Sequence, residues 1–281
     1  MTRAAVVGLG LIGGSAALAL QARGYDRDAG ARSRARDCGI DAAESLAQAV
    51  RGADVVLLAV STGETPALLH EAAAAAPDAL ITDAASLKRP IAVAAAELPA
   101  SAHFVAGHPM AGSLIPGLAG ARADLFRNRP WLIVPTERSD VRSIAAVQDL
   151  VRGMGARPAV VDAERHDALM TWVSHLPLAV ASALARAVSS GADTGLDRVA
   201  GPGLLDTTRL ADTPASLALE LALSDAEALA AAINAVRTEL DQIAESLRRR
   251  DAEKLRAFFE EIAKARRAFE PPPSPPGRGQ G

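Results

Sequence analysis

Short, unbroken apolar runs alternate with alanine-rich stretches along the first half of the chain. The runs cover residues 4–8, 54–60, 79–83, 103–107 and 131–135, and the stretches between them include 14–23, 64–76 and 89–98. Strands that are apolar throughout, and not at every second position, are strands buried on both faces. The pattern therefore predicts a mainly parallel sheet with helices on each side. A further strand is expected over 157–161. A second strand is placed over 28–31, which puts Arg32, Ser33 and Arg34 at its carboxyl end.

From residue 163 onward the pattern holds no convincing strand. Residues 166–190 read as one helix interrupted at Pro177. Proline lacks an N–H and clashes with the carbonyl four residues earlier, so a kink is expected beside His175. Ser224, Asp225, Ala226 and Glu227 have the form of a capping box opened by Ser224. Beyond it Leu229, Ile233, Val236, Leu240, Ile243 and Leu247 recur in steps of four and three. Such a seam packs on another helix, either within the chain or in a dimer. A last helix is expected over 251–269. The expected architecture is α/β then all-α. Residues 1–162 form a Rossmann-type, doubly wound dinucleotide-binding domain, and residues 163–269 form a helical bundle for substrate binding and dimerisation. The tail, EPPPSPPGRGQG over 270–281, has nothing to bury and is expected to be disordered.

Composition narrows this picture. A length of 281 residues allows one or two domains with a sizeable core, and with aromatics at only 3% that core must be built from Ala, Leu, Val and Ile. The formal net charge of −3 gives no basic face for nucleic acid. Lysine occurs only at positions 88, 254 and 264. One cysteine, Cys38, excludes an intrachain disulfide framework and any multi-cysteine metal site, so no metal is expected. No leader and no apolar run of bilayer length stand out, which points to a cytoplasmic protein without a membrane partner.

Gly8-Leu9-Gly10-Leu11-Ile12-Gly13 follows the first strand and opens a helix. In that context Gly8 permits the tight turn and Gly10 lets the backbone approach a pyrophosphate. Gly13 allows close packing of helix on strand, and the helix N-terminus presents N–H groups to the phosphates. With the second strand ending at Arg32, Ser33 and Arg34, the ribose 2′ position meets guanidinium groups. That suits the 2′-phosphate of NADP, with NAD as the other possibility. Asp26 and Asp28 fall too early for the ribose under this placement.

Further motifs follow in order: DAASLK over 83–88, GHPMAG over 107–112, SHLP over 174–177 and DTTR over 206–209. Together with GLGLIGGS over 8–15 they resemble prephenate and arogenate dehydrogenases, and the match covers nearly the whole chain except the tail. The combination HPMAG, SHLP and DTTR is far more specific than the glycine turn alone. The resemblance implies an oxidative decarboxylation on the route to tyrosine. Hydride leaves C4 of a cyclohexadiene ring for the nicotinamide, the C1 carboxylate departs as CO2, and the ring becomes aromatic. It also implies roles. His108 resembles the family's catalytic histidine, a suitable proton acceptor near neutral pH. Ser86 looks like the serine that hydrogen-bonds the same hydroxyl and orients the histidine. Arg209 resembles the arginine that pairs with a substrate carboxylate, and His175 a second substrate-contacting histidine. Ser174 and Gly112 would line the pocket, and a homodimer would form through the C-terminal helices. Lys88 could contact substrate or cofactor or simply open a helix, whereas His70, His103 and His166 lack supporting context and are read as structural.

The stretch Ser113-Leu114-Ile115-Pro116-Gly117 lacks charges that many relatives carry, which leaves prephenate and arogenate unseparated. Two rival readings are a β-hydroxyacid dehydrogenase and a non-catalytic NADP sensor. The former resembles this layout but relies on a lysine in its long central helix, and residues 163–190 contain none. The latter would not need His108, Ser86 and Arg209 together.

Overall fold

The computed structural model describes residues 2–113, 115–191 and 195–269, without the side chains of Leu196 and Asp197. The expected disordered tail and Leu114 lie outside the described residues. The chain divides into two compact units, Met1–Met170 and Thr171–Gly281.

The first unit is built on a seven-stranded sheet: β1 (Ala4–Val7), β2 (Arg23–Tyr25), β3 (Val55–Leu58), β4 (Leu80–Asp83), β5 (His103–Pro109), β6 (Pro130–Val134) and β7 (Arg157–Val160). Their order is β2-β1-β3-β4-β5-β6-β7. The first five are parallel, β6 runs antiparallel to β5, and β7 is parallel to β6. The chain leaves β1 toward one edge for β2 and then returns to place β3 on the other side of β1. That reversal opens a crevice at the carboxyl ends of β1 and β3, where ligands bind in open α/β sheets.

Both faces are covered, as unbroken apolar strands require. On one face Val6, Leu57, Val105, Trp131 and Ile133 pack beneath α1 (Leu11–Leu20) and a helix over Val141–Gly153. On the other, Val7, Val56, Leu58, Ile81 and Phe104 pack beneath helices over Thr65–Ala75 and Arg89–Ala96.

One strand is not where the apolar pattern placed it. β2 is the short segment Arg23–Tyr25, and residues 28–31 instead start α2 (Ala29–Asp37), whose N-cap Asp28 accepts a hydrogen bond from Gly30 N at 2.9 Å. Aspartate at an N-cap satisfies an otherwise orphaned helix donor, and that local bond overrides the weak strand pattern. Arg32, Ser33 and Arg34 are therefore helical and do not form a strand end.

The long helical run past residue 163 is broken where Pro177 predicts. A helix over Ala163–Met170 passes into a single π-helical turn, Thr171–His175, and resumes over Leu176–Gly191. A π turn absorbs the backbone mismatch that a proline four residues on creates. By length and composition alone the run Ala163–Ser190 is apolar enough to cross a membrane, so the expectation that no run reaches that length is corrected. Glu164, Arg165, His166, Asp167, His175 and Arg186 lie within it, which is costly in lipid.

In the second unit the helix over Ala226–Arg248 carries the heptad seam. Its cap is Asp225, which accepts from Ala228 N at 3.1 Å, and not Ser224, whose hydroxyl donates back to Leu221 O at 2.7 Å and ends the preceding helix. Leu229 and Ala232 are buried against Leu176, whereas Ile233, Leu240 and Leu247 are exposed.

Candidate active site

The glycine turn joins β1 to α1 at the switch point. Gly8 adopts φ +93°, and a Cβ there would lie 2.4 Å from Ala59 O; a Cβ on Gly13 would lie 1.8 Å from Gly8 O. Neither position tolerates a side chain. Gly10 differs, because a Cβ there would meet nothing within 4 Å. The protein itself does not demand that glycine, so the open space is room for something that approaches the backbone. Gly10 is also the N-cap of α1, and no side chain caps that end. The first-turn N–H groups, starting with Leu11 and Ile12, are thus available to an anion. These features fit the pyrophosphate of a dinucleotide.

Asp26, immediately after β2, ties the turn down. Its carboxylate accepts from Leu9 N at 2.8 Å and from Asp28 N at 2.9 Å. Arg32 braces the segment from beneath. Its guanidinium donates to Asp26 O at 2.9 Å, to Arg27 O at 3.2 Å and to Glu44 at 3.1 Å, and it lies over the Tyr25 ring. Arg32 thus spends both its terminal nitrogens on the protein, its buried Nε making no hydrogen bond, while Ser33 and Arg34 are exposed on α2. Arg34 pairs with Asp28 at 3.4 Å. The argument for NADP from a strand ending in these three residues loses its premise. A cleft of about 740 Å³ opens beside the turn, and its charged lining residues are Asp26, Arg27, Asp28, Glu64 and Glu71. Arg27 is ion-paired with Glu64.

His108 stands near the carboxyl end of β5, opposite Leu132 of β6, and is 9% exposed. Its Nδ1 lies 3.0 Å from Nε2 of His166, which is fully buried. His166 Nδ1 lies 2.8 Å from Asp167 Oδ1. The Lys88 backbone N–H reaches the same carboxylate oxygen at 3.4 Å, and Arg89 Nε lies 3.6 Å from the other. Burial works to raise the Asp167 pKa, but the His166 hydrogen bond, the Lys88 N–H and Arg89 together hold it below the ordinary carboxylate value. Sequence reasoning read His166 as structural. The spacing of His166 and Met170, one helical turn apart, could have marked the histidine as lying on the packed face, but not its contact with His108.

Lys88 is fully buried. Its ammonium donates to Asp83 Oδ2 and to Gly107 O, each at 2.6 Å. Asp83 accepts in turn from Gly107 N at 3.0 Å and Ala85 N at 2.9 Å. Burial pulls the Lys88 pKa down, with the Asp83 carboxylate opposing it. Lys88 therefore stitches the end of β4 to the end of β5, one residue before His108. Ser86 sits half-buried in the turn held by that stitch, at the same sheet edge as His108.

Gly112, four residues past His108, is exposed. In the second unit His175 closes the π turn and is buried, Ser174 beside it is half-buried, and Arg209 is exposed at the end of the helix over Pro202–Thr208. No group of three or more metal-ligating side chains occurs among the described residues.

A doubly wound sheet, an uncapped glycine turn and a buried histidine at the same sheet edge define a nicotinamide-dependent dehydrogenase. Residues 16–160 match the family described as prephenate dehydrogenase, nucleotide-binding domain, and residues 162–261 match prephenate dehydrogenase, dimerization domain. The chain belongs to the prephenate dehydrogenase family. It is 32% identical to the prephenate dehydrogenase of Lactococcus lactis subsp. cremoris, over 96% of this chain and 78% of the relative. The arogenate dehydrogenase of Synechocystis superposes with a TM-score of 0.78 at 28% identity, covering 96% of this chain and 100% of that one. The A. aeolicus prephenate dehydrogenase solved with hydroxyphenyl propionate and NAD+ superposes with a TM-score of 0.84 at 26% identity, covering 96% and 99%.

Proposed function

We propose that this chain oxidatively decarboxylates prephenate or arogenate, in the cytoplasm, on the route to tyrosine, with His108 as the base. The observation that carries the reading is a nearly buried imidazole at the carboxyl edge of the sheet that bears the glycine turn. Gly8, Gly10, Leu11, Ile12 and Gly13 hold the dinucleotide's pyrophosphate, and the bound nicotinamide supplies a hydride acceptor. His108 takes the proton of the C4 hydroxyl as the C4 hydride departs. The electron pair of the C1–carboxylate bond then enters the ring and CO2 leaves. Ser86 hydrogen-bonds that hydroxyl and orients the imidazole. By the family resemblance, Arg209 is assigned to a substrate carboxylate, which a bidentate fork suits, and His175, Ser174 and Gly112 are assigned to substrate contacts.

We further propose NAD, not NADP, as the preferred coenzyme. The residue directly after β2 is Asp26, an acceptor suited to a ribose 2′-hydroxyl. The cleft beside it sets four carboxylates against the single guanidinium of Arg27, which a 2′-phosphate dianion would meet with repulsion. The NAD+ complex of the A. aeolicus relative is in keeping with this choice. A homodimer through the helices over Ala226–Arg248 and Ala252–Arg267 completes the reading, supported by their exposed Leu240, Leu247, Phe259 and Ile262.

The test is turnover, followed as reduced coenzyme, with prephenate and with arogenate and with NAD and NADP in turn. One of the two substrates should react, with kcat/KM at least about tenfold higher for NAD. His108→Asn should lower kcat by about 10²–10⁴-fold with NAD affinity intact. Failure of both substrates, or full activity of the variant, refutes the assignment.

A further inference from the structure

Resting on that reading of His108 as the base, we infer that His166 and Asp167 are positioning residues. They form a relay that fixes the tautomer of His108, leaving Nε2 as the proton-accepting atom, and they spread the positive charge His108 acquires. The inference follows from donor and acceptor logic. An ionised carboxylate can only accept. His166 Nδ1, 2.8 Å from Asp167 Oδ1, must therefore carry the proton and donate it. A neutral His166 then has only a lone pair at Nε2. That atom lies 3.0 Å from His108 Nδ1, so His108 Nδ1 is the protonated nitrogen and donates. One proton position thus dictates the next, and His108 is left with its lone pair at Nε2. When Nε2 takes the hydroxyl proton, the imidazolium keeps Nδ1–H on His166, and the charge is balanced by the Asp167 carboxylate one ring further on. The arrangement inserts a second imidazole into the base-and-orienter logic of a catalytic triad.

The fold holds the relay rigidly. His166 has no exposed surface and its ring lies 5.2 Å from that of His108, centroid to centroid. The Asp167 carboxylate is fixed on its other side by the Lys88 N–H and by Arg89. The charged groups on the packed elements of this unit are Arg89 and the buried Lys88–Asp83 pair from the β4 end and the helix after it, together with Glu164 and Arg165 on the relay helix itself, which are exposed. β6 contributes no titratable side chain, and His103 lies at the other end of β5.

Asp167→Asn removes the carboxylate while keeping its size, and its amide can donate to His166 and invert the chain of tautomers. With saturating NAD and the substrate that turns over, kcat should fall about a hundredfold or more. KM and NAD affinity should stay within about twofold. Without the carboxylate the His108 imidazolium is less stable, so its pKa drops and the acid limb of the kcat–pH profile moves to lower pH. A merely structural role would lower the rate without moving the limb. Asp167→Glu should restore part of the rate, as should His166→Gln relative to His166→Leu, because the glutamine carbonyl can still accept from His108 Nδ1. Independently of turnover, ¹⁵N histidine spectra of the NAD-loaded full chain, assigned with His108→Gln, should show His108 protonated at Nδ1 and bare at Nε2. Spectra showing the opposite tautomer in the unmodified protein overturn the relay even if every variant misfolds. So does an Asp167→Asn enzyme with unchanged kcat and acid limb. Because the spectra need no substrate, a wrong substrate assignment leaves this result standing.

Discussion

The two units bury their apolar side chains to very different degrees. In the first, the central strands β1, β3, β4 and β5 are closed on both faces, although the edge strand β7 is largely exposed, and Trp131, Phe104, Phe126, Leu58, Leu69 and Ile91 are almost wholly enclosed. In the second, the described cluster centres on Leu176, Leu229 and Ala232, while Leu223 at 66%, Leu240, Leu247 and Phe259 at 58% each face outward. The first unit encloses most of its large apolar side chains, with exposed exceptions such as Val93, Val141 and Val160, and holds a buried ion pair. The second displays exposed apolar side chains on several helices, of the kind that mark an association surface when they cluster.

Disturbing the enclosed unit should have the largest effect. Lys88→Met leaves Asp83 charged and buried without its counter-ion, and it should cost about 3–5 kcal/mol in denaturant unfolding. Adding Asp83→Leu should recover part of that loss. An unchanged midpoint for the single variant would show that the pair does not join β4 to β5 energetically. In the second unit Leu240→Glu with Leu247→Glu should barely alter the stability of a lone chain, within about 0.5 kcal/mol. Sedimentation should nevertheless shift from dimer to monomer, and a dimer that persists would place the interface elsewhere. Smaller still, Asp225→Ala should cost about 1 kcal/mol as a lost N-cap, against a few tenths at most for Ser224→Ala. Equal costs would contradict the cap seen here. The acid limb of stability is the subtlest. The Asp167 pKa is lowered in the folded state, so its contribution is full above the unfolded value of about 3.9 and is lost as pH falls through the lower folded value. Asp167→Asn should flatten stability across that window.

Strands buried on both faces were legible because each is an unbroken apolar run, and the glycine turn was legible because its neighbours are a strand and a helix. β2 was not. It contains one aromatic and no aliphatic residue, Arg23-Gly24-Tyr25, and holds its place by hydrogen bonds to β1 and the glycine turn, such as Gly8 N to Tyr25 O at 2.7 Å. That displacement carried the coenzyme argument with it, from Arg32 to Asp26. His108 and Ser86 stood out through their motifs, but His166 meets His108 across 58 residues, and no local spacing encodes such a contact. Lys88 read as an ordinary helix start, since nothing along the chain announces that Asp83 turns inward to meet it. Pro177 was the reverse case: its steric rule is local, and the break falls where that rule puts it.

The burial of Lys88 also makes the first unit nearly silent to amine chemistry. The other two lysines, Lys254 and Lys264, sit on the last helix, and Lys88 alone represents the side-chain amines of residues 1–170. With no exposed surface, it can be acylated only when the sheet edge beneath the proposed base comes apart. The chain thus carries one built-in reporter amine whose labelling rate times the opening of that edge.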